Sequence, residues 1–162
     1  MKITKEQIKA LNPCADGYQW YLDHGSPDLL KTLLDINKAN YSWAPWLYIR
    51  LMSGKQQKQF AIYAAEQVLH IFEEKYPDDD RPRLAIVAAK IALESNTQAN
   101  REAARRAGAA ARDAGAATAY ASASAYAAGA AVTAATSDAA FTAANAAGAH
   151  AAVGARVAMQ EK

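Results

Sequence analysis

The residues best suited to chemistry lie on one predicted helix, from about Lys55 to Tyr76. Its polar positions recur every three or four residues and so share one face: Gln59, Tyr63, Glu66, His70 and Glu73 or Glu74. A histidine and a glutamate one turn apart can share a proton or bind a metal ion. We predict no metal site, because the spacing is not that of HExxH and no second histidine is near in sequence. A polar stripe is also typical of any surface helix, so Tyr63, Glu66 and His70 have either a binding or a structural role.

The next chemical signal is the acidic turn PDDDRPR, residues 77–83. Arginine binds carboxylate or phosphate bidentately, which makes Arg81 and Arg83 candidate binding residues. Asp80 precedes Arg81-Pro82, a position that favours a helix cap followed by an early proline. We therefore expect Asp80, Arg81 and Arg83 to fix the junction between two strong helices, whatever else they bind.

Aromatic residues cluster between Tyr18 and Tyr48. Rings beside an arginine can stack on a nucleobase or anchor a protein partner, so the candidates here are Trp20, Trp43, Trp46 and Arg50. The same rings can instead form the core that a domain of short helices needs. The pattern leaves both interpretations open.

A group of arginines begins the C-terminal third of the chain. Arg101, Arg105 and Arg112 share one helix face, and Arg106 lies beside them. Four arginines without a wider basic field are typical of a solvated stripe. The sequence contains no Gly-rich phosphate loop, GxSxG motif or CxxC pair. We therefore predict a protein that is not an enzyme, with no catalytic residues, no metal and no cofactor.

Helices must position these residues, because no segment alternates apolar and polar positions as a strand would. The predicted fold class is all-α, a compact multi-helix domain. Its first helices are a Thr4-capped one ending at Leu11, then Ala15–Asp23, one capped by Ser26 before Pro27-Asp28, Trp43–Met52 after Ser42, and Lys55–Tyr76. After the acidic turn, a further helix is predicted to bury the stripe Leu84, Val87, Ala88 and Ile91.

The C-terminal region is rich in alanine, the best helix former. From Ala114 to Ala155 the only fully charged residue is Asp138. A helix starting at Asn96 or Thr97 would be on the order of 90 Å long if it ran straight to the end. We therefore predict a hairpin of two long helices, with a second start at Ser137-Asp138. Tyr120, Tyr126 and Phe141 would fill the gaps between them.

The uncharged alanine surface must be buried against other helices, since a helix that is apolar on every side has no polar face to expose to water. This predicts self-association, as a dimer or tetramer, through the alanine helices. Gly115–Thr136 is long enough to span a bilayer, but it lacks the Leu, Ile and Phe that drive insertion. We therefore predict no membrane partner.

Size and charge exclude several classes of protein. The 162 residues fit one domain, in which residues 1–96 have a mixed composition and residues 97–162 are rich in alanine. The net charge of +2 is far from the basic field of a nucleic-acid-binding protein. Cys14 is the single cysteine, which is typical of a reducing compartment. We therefore predict a cytoplasmic protein.

Two motifs, with alanine-rich helices after them, carry a resemblance to a known family: NPCADGYQWYL, and AIYAAEQVLHIFEEKYPDDDRPRLAI with its DDDRPR turn. From Asn12 to about Leu93 the chain resembles the Imm-5-like immunity proteins of bacteria and phages. The resemblance implies an all-helical, non-enzymatic cytoplasmic protein that takes part in toxin neutralisation or phage–host conflict.

Two classes of function follow from these patterns. In the first, the chain is an immunity factor or counter-defence inhibitor that blocks a protein target through an exposed anchor patch. In the second, it is a phage sponge that holds a nucleotide-like signal between helices, with a lining of Trp20, Trp43, Trp46, Tyr63, His70 and Arg81. The first is favoured, because no Gly-rich loop or dense arginine pocket marks a phosphate site.

Overall fold

The protein is all-α, as predicted. The computed structural model describes residues 2–40, 43–116 and 122–136, with Ala146, His150 and Val153. Over these ranges eight helices are present and no strand, with one isolated bridge between Lys2 and Asp28. The chain divides into two compact units, an N-terminal unit of residues 1–51 and a C-terminal unit of residues 52–162. The single domain 1–162 stays a prediction; the composition change at 96/97 falls inside the C-terminal unit.

The N-terminal unit contains α1 (Lys5–Ala10), α2 (Ala15–His24), α3 (Leu29–Ala39) and α4 (Trp43–Leu51). Thr4 caps α1 as predicted, in a capping box with Gln7. The cap of α3 is Asp28 and not Ser26, so that prediction was wrong. The Asp28 carboxylate accepts from the N–H groups of Leu30 and Lys31. Ser26 instead exchanges hydrogen bonds with Thr32, because Thr32 is buried and needs polar partners.

The core of the N-terminal unit collects residues from α1 to α4 and from the extended start of the chain: Ile3, Ile8, Tyr21, Ile36, Ala44 and Leu47. Trp20, Trp43 and Trp46 are partly buried and pack against this core. Helix α3 buries only some of its large apolar residues. Ile36 is buried, whereas Leu30 and Leu34 are exposed.

The C-terminal unit contains α5 (Gly54–Lys75), α6 (Arg81–Glu94), α7 (Gln98–Ala116) and α8 (Ser122–Thr136). Ser53 begins α5 in a capping box with Gln56. Among these helices, α8 is the central one, because it packs against α5, α6 and α7. Its side chains are accordingly small, and Ala125, Ala127, Ala128, Ala131 and Ala134 are fully buried.

Helices α7 and α8 form an antiparallel pair, which confirms the predicted alanine-rich hairpin. Val132 lies against Gly108, and one turn along α7 the Arg112 guanidinium donates to the Gly129 carbonyl at 3.2 Å. Helix α7 ends at Ala116 and α8 begins at Ser122, whereas the predicted second start at Ser137-Asp138 lies outside the described residues. Tyr126 is half-buried and its ring lies 5.6 Å from the His150 ring. The other residues invoked for this region, Tyr120, Ser137, Asp138 and Phe141, lie outside the described residues.

The burial of α8 removes the physical argument for self-association through that helix. Its uncharged surface is already covered by three neighbouring helices of the same chain. Ala131 and Ala135, which lie in the second half of α8, are at most 1% exposed. Self-association through the alanine helices stays a prediction, but it gains no support from Ser122–Thr136.

Helix α6 buries the opposite face from the one predicted. Leu84, Val87 and Ile91 are about half exposed, at 50%, 47% and 48%. The buried side carries Pro82, Ala85, Ile86, Ala89 and Ala92. The alanine-rich helices α7 and α8 both pack against α6, and small side chains on the buried side of α6 let the helix axes approach closely. The alanines of α6 therefore face the core together with Ile86, and Leu84, Val87 and Ile91 face outward.

The contact between α7 and α8 predicts that Gly108→Ala destabilises the protein. A Cβ atom at residue 108 would lie 2.9 Å from the Val132 Cβ and Cγ1 atoms, so the two helices must move apart. Overpacking of this kind costs about 1–3 kcal/mol, which exceeds the gain of about 1 kcal/mol in helix propensity. Thermal unfolding should show a lower midpoint.

Gly54→Ala is the matched control, because a Cβ there meets nothing within 4 Å. It should raise the unfolding midpoint or leave it unchanged. If Gly108→Ala were as stable as Gly54→Ala, the close packing of α7 on α8 would be wrong.

Candidate interaction surface on helices α5 and α6

Two ion pairs connect α5 and α6 side by side. Near the turn, the Arg83 guanidinium donates bidentately to Glu73, at 2.6 and 2.7 Å. Two turns further along, the Lys90 ammonium binds Glu66 at 2.5 Å. From the first pair to the second, the residue number rises on α6 and falls on α5, so the two helices are antiparallel. All four side chains are partly exposed, so the pairs fix geometry rather than supply much stability.

Beyond these ion pairs, a shallow groove of about 320 Å³ lies between the far ends of the two helices. Its lining mixes polar and apolar side chains: Gln59, Ile62, Tyr63, Glu66, Lys90, Leu93 and Glu94. Tyr63 stands out there, because 57% of its surface is exposed although it is a large aromatic residue. The groove thus combines an exposed ring with charges of both signs.

An apolar stripe borders the ion pairs on the outer side of α6. Leu84, Val87 and Ile91 lie three and four residues apart, so they share one face. Val87 is one turn from both Arg83 and Lys90, which places the stripe directly beside the charged side chains. We call the groove, the two ion pairs and this stripe the α5–α6 face. A continuous apolar stripe with a polar border is the composition of a protein-binding surface.

The turn before α6 is held by Asp79 and not by Asp80, so the predicted cap was wrong. Asp80 occupies the N-cap position, but its side chain makes no capping hydrogen bond. Asp79 instead accepts from the Arg81 backbone N–H at 3.2 Å and from its guanidinium at 2.8 and 2.6 Å. The hydrogen bonds from Arg81 lower the pKa of Asp79 below its usual value. Arg81 and Arg83 do fix the junction as expected, each through a carboxylate.

These contacts predict a difference between two neighbouring aspartates. Asp79→Ala removes the acceptor for the first N–H of α6 and should cost about 1 kcal/mol, whereas Asp80→Ala should change stability by less than about 0.5 kcal/mol. Because folding lowers the pKa of Asp79, its contribution is complete at neutral pH and is lost as the pH falls through the folded pKa, below the usual aspartate range.

Urea unfolding of both variants at pH 7, and again in acid, measures this difference. The difference in the free energy of unfolding between wild type and Asp79→Ala should become smaller as the pH falls. Equal losses for Asp79→Ala and Asp80→Ala would restore Asp80 as the cap.

The sequence-predicted site residues fall in both units. Tyr63, Glu66 and Arg83 belong to the α5–α6 face, and the exposed His70 lies one turn from Glu66 and Glu73 on α5. Asp80 and Arg81 lie at the turn before α6. The remaining four are in the N-terminal unit. There Trp20 stacks on His24 with ring centroids 5.3 Å apart, the Arg50 guanidinium lies 4.7 Å from the Trp46 ring centre, and Trp43 packs against the core.

Sequence reasoning missed that the apolar stripe is exposed, and it missed Asp79 and Lys90 as ion-pair partners. It also left open whether Glu73 or Glu74 belongs to the polar face. One signal was available for the stripe. Helix α6 carries two apolar faces, one of alanines and one of larger aliphatic residues. Two such faces on one helix indicate that one of them is left for a partner, and the alanine-rich region further along the chain indicates which face is buried.

The side chains of the α5–α6 face can make apolar, hydrogen-bonding and ionic contacts with another molecule. Arg81 and Arg83 already bind carboxylates, so a phosphate would have to displace Asp79 or Glu73. The described side chains include no group of three or more His, Cys, Asp or Glu residues that could hold a metal ion. Within the ranges that the structure covers, no helix is both long and apolar enough to cross a membrane.

Fold and surface together define an all-α protein that presents a mixed apolar and charged face on a helical hairpin. The chain belongs to the family described as Imm-5 like putative immunity protein, whose model matches residues 48–160. The family expected from the sequence is confirmed, but the matched range differs. It extends past Leu93 through α7 and α8, and it leaves out the NPCADGYQWYL motif. No curated protein and no solved structure shows significant similarity to the chain.

Proposed function

We propose that this chain is a non-enzymatic immunity protein that neutralises a protein target by binding it through the α5–α6 face. The observation that carries the proposal is the stripe Leu84, Val87 and Ile91, which stays half exposed beside two fixed ion pairs. The stripe and the ion pairs lie within the residues that the family model matches. The target is either a toxin or a defence protein that the chain inhibits.

The arrangement suits tight binding for two physical reasons. Exposed aliphatic and aromatic side chains supply the anchors from which most binding energy comes, and the charged border excludes wrong partners. Both helices also pack against α8, and a surface that is already ordered loses little conformational entropy on binding. Neutralisation by occlusion needs no catalytic group. A single cysteine, Cys14, fits action in the reducing cytoplasm of a bacterial cell or phage-infected host.

Growth rescue tests the proposal. Candidate toxins and defence proteins from the source genome are expressed one at a time in a sensitive strain, with and without this chain. We expect one of them to be neutralised and to form a stoichiometric complex with the purified chain on size-exclusion chromatography. Rescue by covalent modification or degradation of the target, with no complex formed, would replace the proposal with an enzymatic function.

A thermal-shift screen against cyclic and adenine dinucleotides tests the competing sponge hypothesis. A ligand at a hundred times its dissociation constant adds about 2.7 kcal/mol of stability. We expect no shift with any nucleotide. A large upward shift that is lost in Trp43→Ala or Arg81→Ala would make the chain a nucleotide sponge instead.

A further inference from the structure

The N-terminal unit contains a cavity of about 210 Å³ that lies outside the residues matched by the family model. All four helices of the unit contribute to its walls. Its floor consists of Ile8, Tyr21, Ile36 and Leu47, which are also buried core residues. The cavity therefore reaches into the core of the unit. Protein interiors are close-packed, and few spaces larger than a water molecule survive in them.

Two tryptophans and a glycine form the walls and the mouth of this cavity. Trp43, Trp46, Cys14 and Gly17 all line it. A Cβ atom at residue 17 would lie 3.1 Å from the Cys14 Sγ atom and 3.8 Å from the Trp43 ring. The missing side chain of Gly17 is what keeps the space between the thiol and the indole ring open. Cys14 is exposed, so the cavity is open to solvent at this point.

The lining has little to offer a polar or charged molecule. The Tyr21 hydroxyl is directed to the Ile3 carbonyl, at 3.4 Å, rather than held free for a ligand. None of the lining side chains is charged, so a charged group would lose its hydration there without forming an ion pair. An apolar ring, in contrast, would make dispersion contacts with the walls and stack on Trp43 or Trp46.

We propose that this cavity is a binding site for a small, uncharged molecule with a single apolar ring. An enclosed apolar cavity of about 150 Å³ already holds benzene, so a space of about 210 Å³ is large enough for a single ring. The site involves none of the residues of the α5–α6 face, so it adds a ligand to the protein and does not depend on the proposed neutralisation of a protein target.

Cys14 and the tryptophans make the proposal testable in the full-length chain. Cys14 is the only cysteine, and all three tryptophans lie in the N-terminal unit. Bromobenzene is the probe, because it is apolar, ring-sized and quenches tryptophan fluorescence on contact. In a Trp20→Phe background only Trp43 and Trp46 emit. We expect saturable quenching, together with at least a threefold slower alkylation of Cys14 by N-ethylmaleimide.

Gly17→Leu is the blocking variant, since the larger side chain fills the cavity from the mouth. It should abolish saturable quenching while keeping the helical circular dichroism of wild type. Gly54→Leu makes the same change where nothing lies within 4 Å, and it should bind bromobenzene as wild type does. Quenching without saturation, unchanged alkylation of Cys14 in wild type, or full binding by a folded Gly17→Leu variant would each overturn the proposal.

Two further probes define the class of ligand. 4-Bromobenzoate carries the same ring with a charge, and it should not protect Cys14. N-acetylphenylalaninamide places a ring on a peptide unit. It should protect Cys14 less than bromobenzene does at the same concentration, because the peptide unit would lose its hydration in an apolar lining. Equal protection would show that the site accepts a ring carried on a peptide unit, and a wholly apolar molecule would no longer be the class of ligand assigned.

Discussion

Replacing Ala131 with glutamate should unfold the C-terminal unit at every protein concentration. Ala131 is fully buried in α8, where α5, α6 and α7 surround it. A carboxylate there would have neither water nor a partner, which costs on the order of 4 kcal/mol or more. Burial raises the pKa of such a carboxyl, so the variant should regain stability as the pH falls and the group becomes neutral.

Thr133→Glu provides the matched control, because it places the same side chain two residues away on the exposed side of α8. Circular dichroism during thermal unfolding should show a normal transition for this control and a lost or greatly lowered one for Ala131→Glu. If wild-type stability depended on protein concentration, and Ala131→Glu gave a folded monomer, the alanine helix would be an interface between copies after all.

The second large effect is expected on target binding. Changing both Leu84 and Ile91 to lysine removes the two ends of the apolar stripe while keeping good helix formers. Both residues are about half exposed, so stability should change by less than about 1 kcal/mol. Binding to the neutralised target should weaken at least about 100-fold, which corresponds to about 2.7 kcal/mol. Isothermal titration calorimetry with the target found by growth rescue measures the loss.

A double lysine variant of α3, Leu30→Lys with Leu34→Lys, is the control. These residues are at least as exposed as the stripe, at 65% and 56%, but they lie outside the matched residues. The control should neutralise the target as wild type does. The opposite result, with loss of binding in the α3 variant and none in the α6 variant, would move the target-binding surface to the N-terminal unit.

The sequence predicted the helices well because their signals are local. The cap at Thr4, the start of α5 next to Ser53 and the turn at residues 77–80 all depend on neighbours within one turn. The face that α6 buries depends instead on α7 and α8, which come later in the chain. Periodicity alone favours the larger residues Leu84 and Ile91 as the core, and only close packing against alanine reverses that choice.

The same distinction explains the outcome for the candidate site. Spacing placed Tyr63, Glu66 and His70 on one face of α5, and the side chains do share it. Their partners on α6, above all Lys90, required knowledge of how the two helices pair. Asp79 holds the turn instead of Asp80 for another reason. The Asp79 carboxylate accepts hydrogen bonds from both the backbone N–H and the guanidinium of Arg81. A sequence rule for helix caps considers only the bond from the backbone N–H.

The alanine interior of α8 also sets how the protein responds to temperature. The heat-capacity change of unfolding grows with the apolar area exposed, and a buried alanine exposes far less than a leucine. Alanine also has no rotamer freedom to gain on unfolding. The free energy of unfolding of the C-terminal unit should therefore change only slowly with temperature on either side of its maximum.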